Sequence, residues 1–110
     1  MSLARTVQST GRGIVNLSRN FGAGSNNVTR PYNTYYIDTT AGASTMIADP
    51  APIPNDEYLF KDKGGSAGTN NISFDPNGKT LDGVSGVSVL IAVNRGWARI
   101  KYNGSEWSLV

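Results

Sequence analysis

One stretch of the chain, residues 58–82, constrains the fold more than any other. Its sequence reads YLFKDKGGSAGTNNISFDPNGKTLD. Two short apolar runs, at 58–60 and 72–74, flank a flexible loop of Gly, Ser, Ala, Thr and Asn, and the tight turn at 75–78 follows at once. This order indicates strand, loop, strand and turn. It favours a protein built from β-strands over one built from helices.

The chain before this stretch continues the pattern. Residues 33–40 are rich in Tyr, Thr and Ile and are predicted to form a strand, with a short partner strand at 44–48. Three prolines between positions 50 and 54 prevent a regular element there, because proline lacks a backbone donor. The chain is therefore expected to cross as a loop and to re-enter the sheet at 57–62.

The last third of the chain carries the clearest strand signals. Apolar or small residues fill both alternating sets of positions in 87–93, which predicts a central strand covered on both faces. In residues 98–102 apolar and charged residues alternate, which predicts a strand with one face exposed to solvent. Asn103-Gly104 predicts a hairpin into a strand at 106–110. Six to eight short strands at this spacing predict an all-β fold, a small antiparallel β-sandwich or jelly-roll-like domain, with a small barrel as the alternative.

The first third of the chain differs in composition. Four arginines precede the first acidic residue, Asp38, whereas six basic and eight acidic residues follow from there on. Residues 1–34 contain few core residues and are predicted to form an extended basic N-terminal arm, with one short strand near 14–17. Residues 35–110 form the predicted β-domain. Such an arm cannot bury enough surface to order itself, so we expect it to lie on the body or on a partner.

The residue types leave little room for catalysis. The chain has no cysteine and no histidine, which removes disulfides, thiolate metal sites and the usual proton shuttle near neutral pH. No spacing indicates a Ser–Lys or carboxylate nucleophile. We therefore predict no enzyme activity, no catalytic residue and no cofactor.

Three other ligand classes find weak support. The turn at 75–78 offers oxygen ligands for Ca²⁺, but its spacing is not that of an EF-hand and an ordinary turn is the better interpretation, so no metal is predicted. The glycine run at 64–68 lacks the Lys-Ser/Thr of a phosphate-binding loop. No apolar run is long enough for a membrane span or typical of a signal peptide, so a soluble protein without a membrane partner is expected.

Eight residues are candidates for a partner interface. The arginines are isolated and have few aromatic neighbours, so an acidic protein surface suits them better than nucleic acid. The tyrosines can stack on a ligand or fill a sheet face, and the tryptophans can anchor either the core or an interface. The candidates are Arg5, Arg12, Arg19, Arg30, Tyr32, Tyr35, Tyr36 and Trp97.

Four segments together resemble a β-module of tailed-phage virion proteins. They are YIDTTAGA at 36–43, YLFKD at 58–62, GTNNISFDPNGKTLDG at 68–83 and YNGSEW at 102–107. The resemblance covers about residues 35–110. The module recurs at the ends of tail fibres and in small capsid-bound proteins, so the resemblance implies a virion surface protein.

The resemblance implies a more specific function through its context. Fibre proteins with this module are long and carry a trimeric shaft before it, whereas here we expect only a basic arm after a start at Met1. The chain is therefore most similar to the decoration, or cement, proteins of short-tailed phages. That likeness implies a homo-oligomer, a dimer or trimer, that binds the major capsid protein on the capsid exterior and staples neighbouring subunits.

Two other functions remain open. One is an adhesin, a tail-fibre or receptor-binding module whose loops and tyrosines contact host surface polysaccharide. The other is a bacterial β-domain with no role in a virion. A decoration protein is needed in hundreds of copies per particle and an adhesin in few, so copy number separates the first two functions.

Overall fold

The computed structural model describes residues 17–110, which contain eleven strands and no helix. The predicted all-β fold is therefore confirmed. The strands form a seven-stranded sheet in the order β1-β3-β5-β10-β11-β7-β8 and a four-stranded sheet in the order β2-β4-β6-β9. The strands are β1 (Ser18–Phe21), β2 (Gly24–Asn27), β3 (Thr34–Ile37), β4 (Ser44–Ile47), β5 (Glu57–Asp62), β6 (Ile72–Asp75), β7 (Thr80–Leu81), β8 (Val84–Ser85), β9 (Ser88–Ile91), β10 (Trp97–Tyr102) and β11 (Trp107–Leu109).

The first six strands alternate between the two sheets. β1, β3 and β5 pair in parallel in the larger sheet, while β2, β4 and β6 pair in parallel in the smaller one. Each strand therefore lies beside the strand two positions earlier in the chain. This follows because a chain that crosses to the other layer and returns has made a full turn and runs in its original direction. We call two consecutive strands that lie in opposite sheets, such as β1 and β2, a rung.

The predicted antiparallel pairing holds for four of the nine strand pairs, and the other five are parallel. The antiparallel pairs come mainly from the second half, where β9 pairs with β6 and β10 pairs with β5. The expected hairpin at Asn103-Gly104 joins β10 to β11, and Gly104 has a φ of 105°. The sequence pattern shows strand period but not strand direction. The parallel pairing between strands of successive rungs was missed for that reason.

The structure corrects the predicted arm. Within residues 18–27 the chain forms β1 and β2, which pair with β3 and β4 of the predicted domain. Phe21 stacks on Tyr35 at 5.3 Å between ring centroids, and Val28 is fully buried. The boundary at 34 therefore falls inside one folded unit. Residues 1–16, with most of the strand predicted near 14–17, lie outside the described residues.

Aromatic side chains fill the space between the sheets. Trp107 is fully buried, and its ring centroid lies 5.5 Å from that of Tyr58, 5.7 Å from Phe74 and 5.2 Å from Tyr102. These contacts join β11 and β5 of the larger sheet to β6 of the smaller one. Burying one such side chain stabilises the fold by about 1.5–3 kcal/mol, and each aromatic pair adds roughly 0.5–1.5 kcal/mol.

A buried carboxylate holds the glycine-rich loop that follows β5. Asp62 has no exposed surface and accepts hydrogen bonds from Thr39 Oγ1 and from the backbone amides of Gly65, Ala67 and Arg95. Burial alone would raise the pKa of Asp62, but these donors outweigh burial and lower that pKa to about 2. The loop predicted to be flexible is therefore anchored at its start, its middle and against the β9–β10 turn.

The strand predicted to be central is an edge strand. β9 is the last strand of the smaller sheet, and within residues 17–110 it pairs with β6 alone. Ile91 is buried, but Val87, Val89 and Val93 are more than half exposed. Apolar residues on both faces are typical of a central strand. Here they leave a row of valines in solvent instead.

Candidate interaction surface

The outer face of the larger sheet brings an aromatic platform together. β3, β5 and β10 are neighbours, and their register aligns Tyr36 with Lys61 and Lys61 with Trp97 in one row. The next outward row aligns Leu59 with Arg99. Side chains of a strand alternate between its two faces. These five residues therefore share the face that points away from the core.

This platform is the most exposed aromatic surface of the described residues. Trp97 is 59% exposed and Tyr36 is 40% exposed. Together with Leu59, Lys61 and Arg99 they line a shallow depression of about 400 Å³. Large aromatic side chains are enriched at interface centres, where they bury much area at low entropic cost.

Two cationic side chains border the platform. The Arg99 guanidinium carbon lies 5.7 Å from the centroid of the Trp97 ring, within the range of a cation–π contact. Arg99 Nε also lies 3.6 Å from a carboxylate oxygen of Glu57, but both side chains are more than two-fifths exposed. Water and salt screen such a pair, which contributes little to stability. Lys61 Nζ donates to the backbone carbonyl of Arg95.

A second hollow adjoins the platform and shares Leu59 and Arg99 with it. It has a volume of about 570 Å³ and is also lined by Arg30, Tyr32 and Asp56. The two hollows together form one continuous surface, which we call the platform surface.

Arg30 is already paired inside this second hollow. Its guanidinium forms an ion pair with Asp56 and lies 3.8 Å from Asp49. Desolvation lowers the pKa of Arg30, but the charge of Asp56 and the hydrogen bond to it outweigh that effect and raise the pKa overall. Because two carboxylates neutralise Arg30, it offers little net charge to a partner.

Arg19 lies at the β1 edge of the larger sheet, in register with buried Tyr35 and so on the core-facing side, next to Tyr32. Its guanidinium carbon lies 5.5 Å from the ring centroid of Tyr32, which lines the second hollow, and 5.0 Å from that of Phe21. The distance to Phe21 is that of a second cation–π contact. No described carboxylate forms an ion pair with Arg19 at a distance of 4.0 Å or less. Its charge is therefore available to an acidic partner.

The candidate interface residues separate into three groups. Arg30, Tyr32, Tyr36 and Trp97 lie on the platform surface, and Arg19 contacts Tyr32 from the core-facing side of the sheet. Tyr35 was wrongly taken as an interface candidate, since it is fully buried and its hydroxyl donates to the Thr29 carbonyl at 2.8 Å. Arg5 and Arg12 lie outside the described residues.

Sequence reasoning missed Leu59, Lys61 and Arg99 as members of this surface. The signal for Arg99 was present, because it lies on the wet face of the strand predicted at 98–102. Nothing in the sequence indicated that β5 lies between β3 and β10. Without that order, Tyr36 and Trp97 cannot be placed two strands apart on one face.

The described residues contain no metal-binding cluster of carboxylates. Among residues 17–110, no three carboxylate side chains are close enough to hold a metal ion together, and the chain has no histidine or cysteine. In this same part of the chain, no helix is long and apolar enough to cross a membrane. The platform surface remains the arrangement best suited to binding.

No protein-family model matches the chain, and no curated protein matches its sequence.

Proposed function

We propose that this chain is a structural protein of a phage virion, a capsid decoration protein that binds the outside of the shell and staples neighbouring major capsid subunits. The observation that carries this proposal is the platform surface, which gathers exposed Trp97, Tyr36 and Arg99 on one sheet face. Trp, Tyr and Arg are the residue types that dominate binding energy at protein interfaces. The resemblance of residues 35–110 to a virion module supplies the choice of partner.

The charge on and next to the platform surface favours an acidic partner patch. Arg19 has no carboxylate partner among the described residues, and Arg99 has only an exposed one in Glu57. Arg5 and Arg12 add two more positive charges in the preceding segment. Association is therefore expected to weaken as salt rises, because exposed charges are screened within about 8–10 Å at physiological ionic strength.

Decoration also suits a small body with one modest binding surface. The platform depression measures about 400 Å³, which does not enclose a partner. Weak contacts become strong when several copies in a homo-oligomer engage a repeating shell together. We assign the chain no catalytic activity, no cofactor and no nucleic-acid or membrane partner, and we place it on the capsid exterior.

Copy number is the first test of this function. The protein is quantified against the major capsid protein in purified particles. A ratio near one to one, or a simple fraction set by icosahedral symmetry, is the expected result. A handful of copies per particle would move the protein to the tail, and absence from particles would end the virion assignment.

Substitution then tests the surface itself. We expect Trp97→Ala to weaken binding to undecorated shells by at least about tenfold, since truncated interface anchors cost roughly 2 kcal/mol or more. Val84→Ala is the matched control, because Val84 is also more than half exposed but lies on β8, at the far edge of the larger sheet. Equal binding by the two variants would contradict the use of the platform surface.

One observation favours the adhesin as a second candidate. Tyr36 and Trp97 expose ring faces beside a shallow depression with polar neighbours, an arrangement that also suits stacking on sugar rings. An adhesin would show few copies per particle and direct binding of the purified chain to host polysaccharide. Loss of that binding in Trp97→Ala, with shells left unbound by the unsubstituted protein, would establish this alternative.

A further inference from the structure

β9 presents an open backbone edge. Within the part of the chain that the structure describes, its one strand partner is β6, with Ser73 opposite Val89 and Phe74 opposite Ser88. Ile72 and Ser73 of β6 face Ile91 and Val89 of β9, so Leu90 is an extra residue that forms a bulge in β9, and the regular part of the strand is Ser88–Val89. An outer strand of this kind offers a row of backbone donors and acceptors to another strand.

The sequence around β9 contains neither a charged residue nor a proline that would block such pairing. No charged residue occurs between Asp82 and Arg95, and no proline follows Pro76. Val87, Val89 and Val93 are all more than half exposed along this segment. Natural edge strands are usually protected by lysines, prolines, bulges or short length, and of these β9 has a bulge at Leu90, next to its regular part. An uncharged valine-rich edge is instead typical of a strand that is covered.

The other sheet edges are different. β2, at the opposite edge of the smaller sheet, has the polar sequence GSNN, and β1 carries Arg19. β8 is only two residues long. Of the four edge strands among residues 17–110, β9 alone is four residues long, uncharged and flanked or occupied by exposed apolar side chains.

We propose that β9 pairs with β9 of a second copy of this chain, antiparallel about a twofold axis, to join the two smaller sheets into one eight-stranded sheet. A second copy is the fitting occupant because an uncharged segment can lie beside itself without opposing like charges. Self-complementarity of this kind is what a twofold interface requires.

The pairing buries what the isolated chain exposes. A twofold axis near Ser88 or Val89 brings the exposed valines of the two copies beside each other on the outer face. Directly opposite residues in an antiparallel pair have Cβ atoms about 4.5–5.5 Å apart, close enough for apolar contact. Backbone hydrogen bonds supply affinity, as in other cases of strand addition.

This inference names the surface behind the homo-oligomer of the proposed function, but it does not depend on binding to a shell. Its test uses the purified full-length chain alone. A chain that dimerises through β9 and ignores shells would leave this inference standing while the decoration role fails. A monomer that still binds shells would do the reverse.

The first experiment measures oligomeric state by sedimentation over a range of concentrations. We expect the unsubstituted chain to form a dimer and Val89→Lys to raise its dissociation constant by at least about tenfold, because the twofold axis places two lysines near each other. Ile53→Lys is the control, since Ile53 is 52% exposed against 59% for Val89 but lies in the proline-rich loop. Near-ultraviolet circular dichroism confirms that both variants are folded.

A second experiment uses the absence of cysteine in the natural chain. Single Ser88→Cys and Val89→Cys variants are oxidised under mild conditions, and at least one is expected to form a disulfide-linked dimer, because Cα atoms of facing strand residues lie within the range a disulfide spans. Ile53→Cys is expected to stay monomeric on a denaturing gel. A monomeric unsubstituted chain, or a dimer that Val89→Lys leaves intact, would overturn the proposal.

Discussion

Thr39 and Asp62 are separated by 23 residues in the chain, yet Thr39 Oγ1 donates a 2.7 Å hydrogen bond to Asp62 Oδ1 inside the protein. Both residues are fully buried. The same Thr39 hydroxyl accepts a hydrogen bond from the Ser66 amide, so the two side chains together fix the loop between β5 and β6. A buried carboxylate with four donors is a point on which the stability of the fold depends.

Asp62→Ala is expected to lower the free energy of unfolding by about 3 kcal/mol or more, because it leaves three buried or half-buried backbone amides without an acceptor. Urea unfolding measures the change. Glu57→Ala serves as the control, since Glu57 is exposed and makes one screened ion pair, and it should change stability by no more than about 0.5 kcal/mol. Similar losses in both variants would refute a central role for Asp62.

Stability is expected to fall in acid through Asp62. Its folded pKa of about 2 is below its ordinary value of 3.8, so the unfolded chain binds the proton more readily. The stabilisation is therefore complete above about pH 5 and is lost as the pH falls from about 4 to 2. The difference corresponds to roughly 2 kcal/mol at neutral pH. Unfolding curves at several pH values should show this decline, and Asp62→Asn should remove that part of it.

Two buried tyrosines should respond oppositely to the loss of a hydroxyl. Tyr58 Oη is buried without a hydrogen-bond partner among the described residues, and burial raises the pKa of this phenol. The Tyr35 hydroxyl donates to the Thr29 carbonyl and accepts from the Thr29 amide. Tyr58→Phe should therefore be neutral or stabilising, whereas Tyr35→Phe should cost about 1 kcal/mol or more. Thermal unfolding of the pair provides the comparison, and equal effects would contradict it.

Truncation should separate the basic segment from the folded body. Deleting residues 1–16 removes Arg5 and Arg12 but spares β1, Arg19 and Arg99, so we expect cooperative unfolding to persist while shell binding weakens and its salt dependence decreases. Deleting residues 1–29 removes β1, β2 and buried Val28 and exposes one face of Tyr35. That second chain should lose several kcal/mol, measured by urea unfolding. Unchanged salt dependence in the first would show that the segment is not used.

The sequence contained enough information for the all-β class and for individual strand faces. Tyr35 shares its alternating position with Ile37, whereas Tyr36 shares its position with Asp38, so the burial of one tyrosine and the exposure of the next were open to prediction. Trp97 and Trp107 show the limit, since both occur in alternating strands and only one is buried. The difference depends on which strands pack above them.

Strand neighbours could not be predicted because they depend on distant pairing. Tyr36 lies opposite Lys61, and Lys61 lies opposite Trp97, although the three residues span much of the chain. Local periodicity indicates which face of a strand is exposed to solvent, but it does not indicate which strand pairs with it in the sheet. The platform surface is therefore a product of sheet order. The same limit explains why β9 was placed at the centre of a sheet instead of its edge.

The stacking of rungs also determines when each part of the chain can become structured during synthesis. Among the described strands β1 and β2 leave the ribosome before the others, and their strand partners β3 and β4 are made 16 to 20 residues later. Until then β1 and β2 have no strand to pair with. In the folded chain both remain edge strands, each paired on one side only within residues 17–110. Their backbone amides should accordingly exchange with deuterium faster than those of β5 and β10, which are paired on both sides.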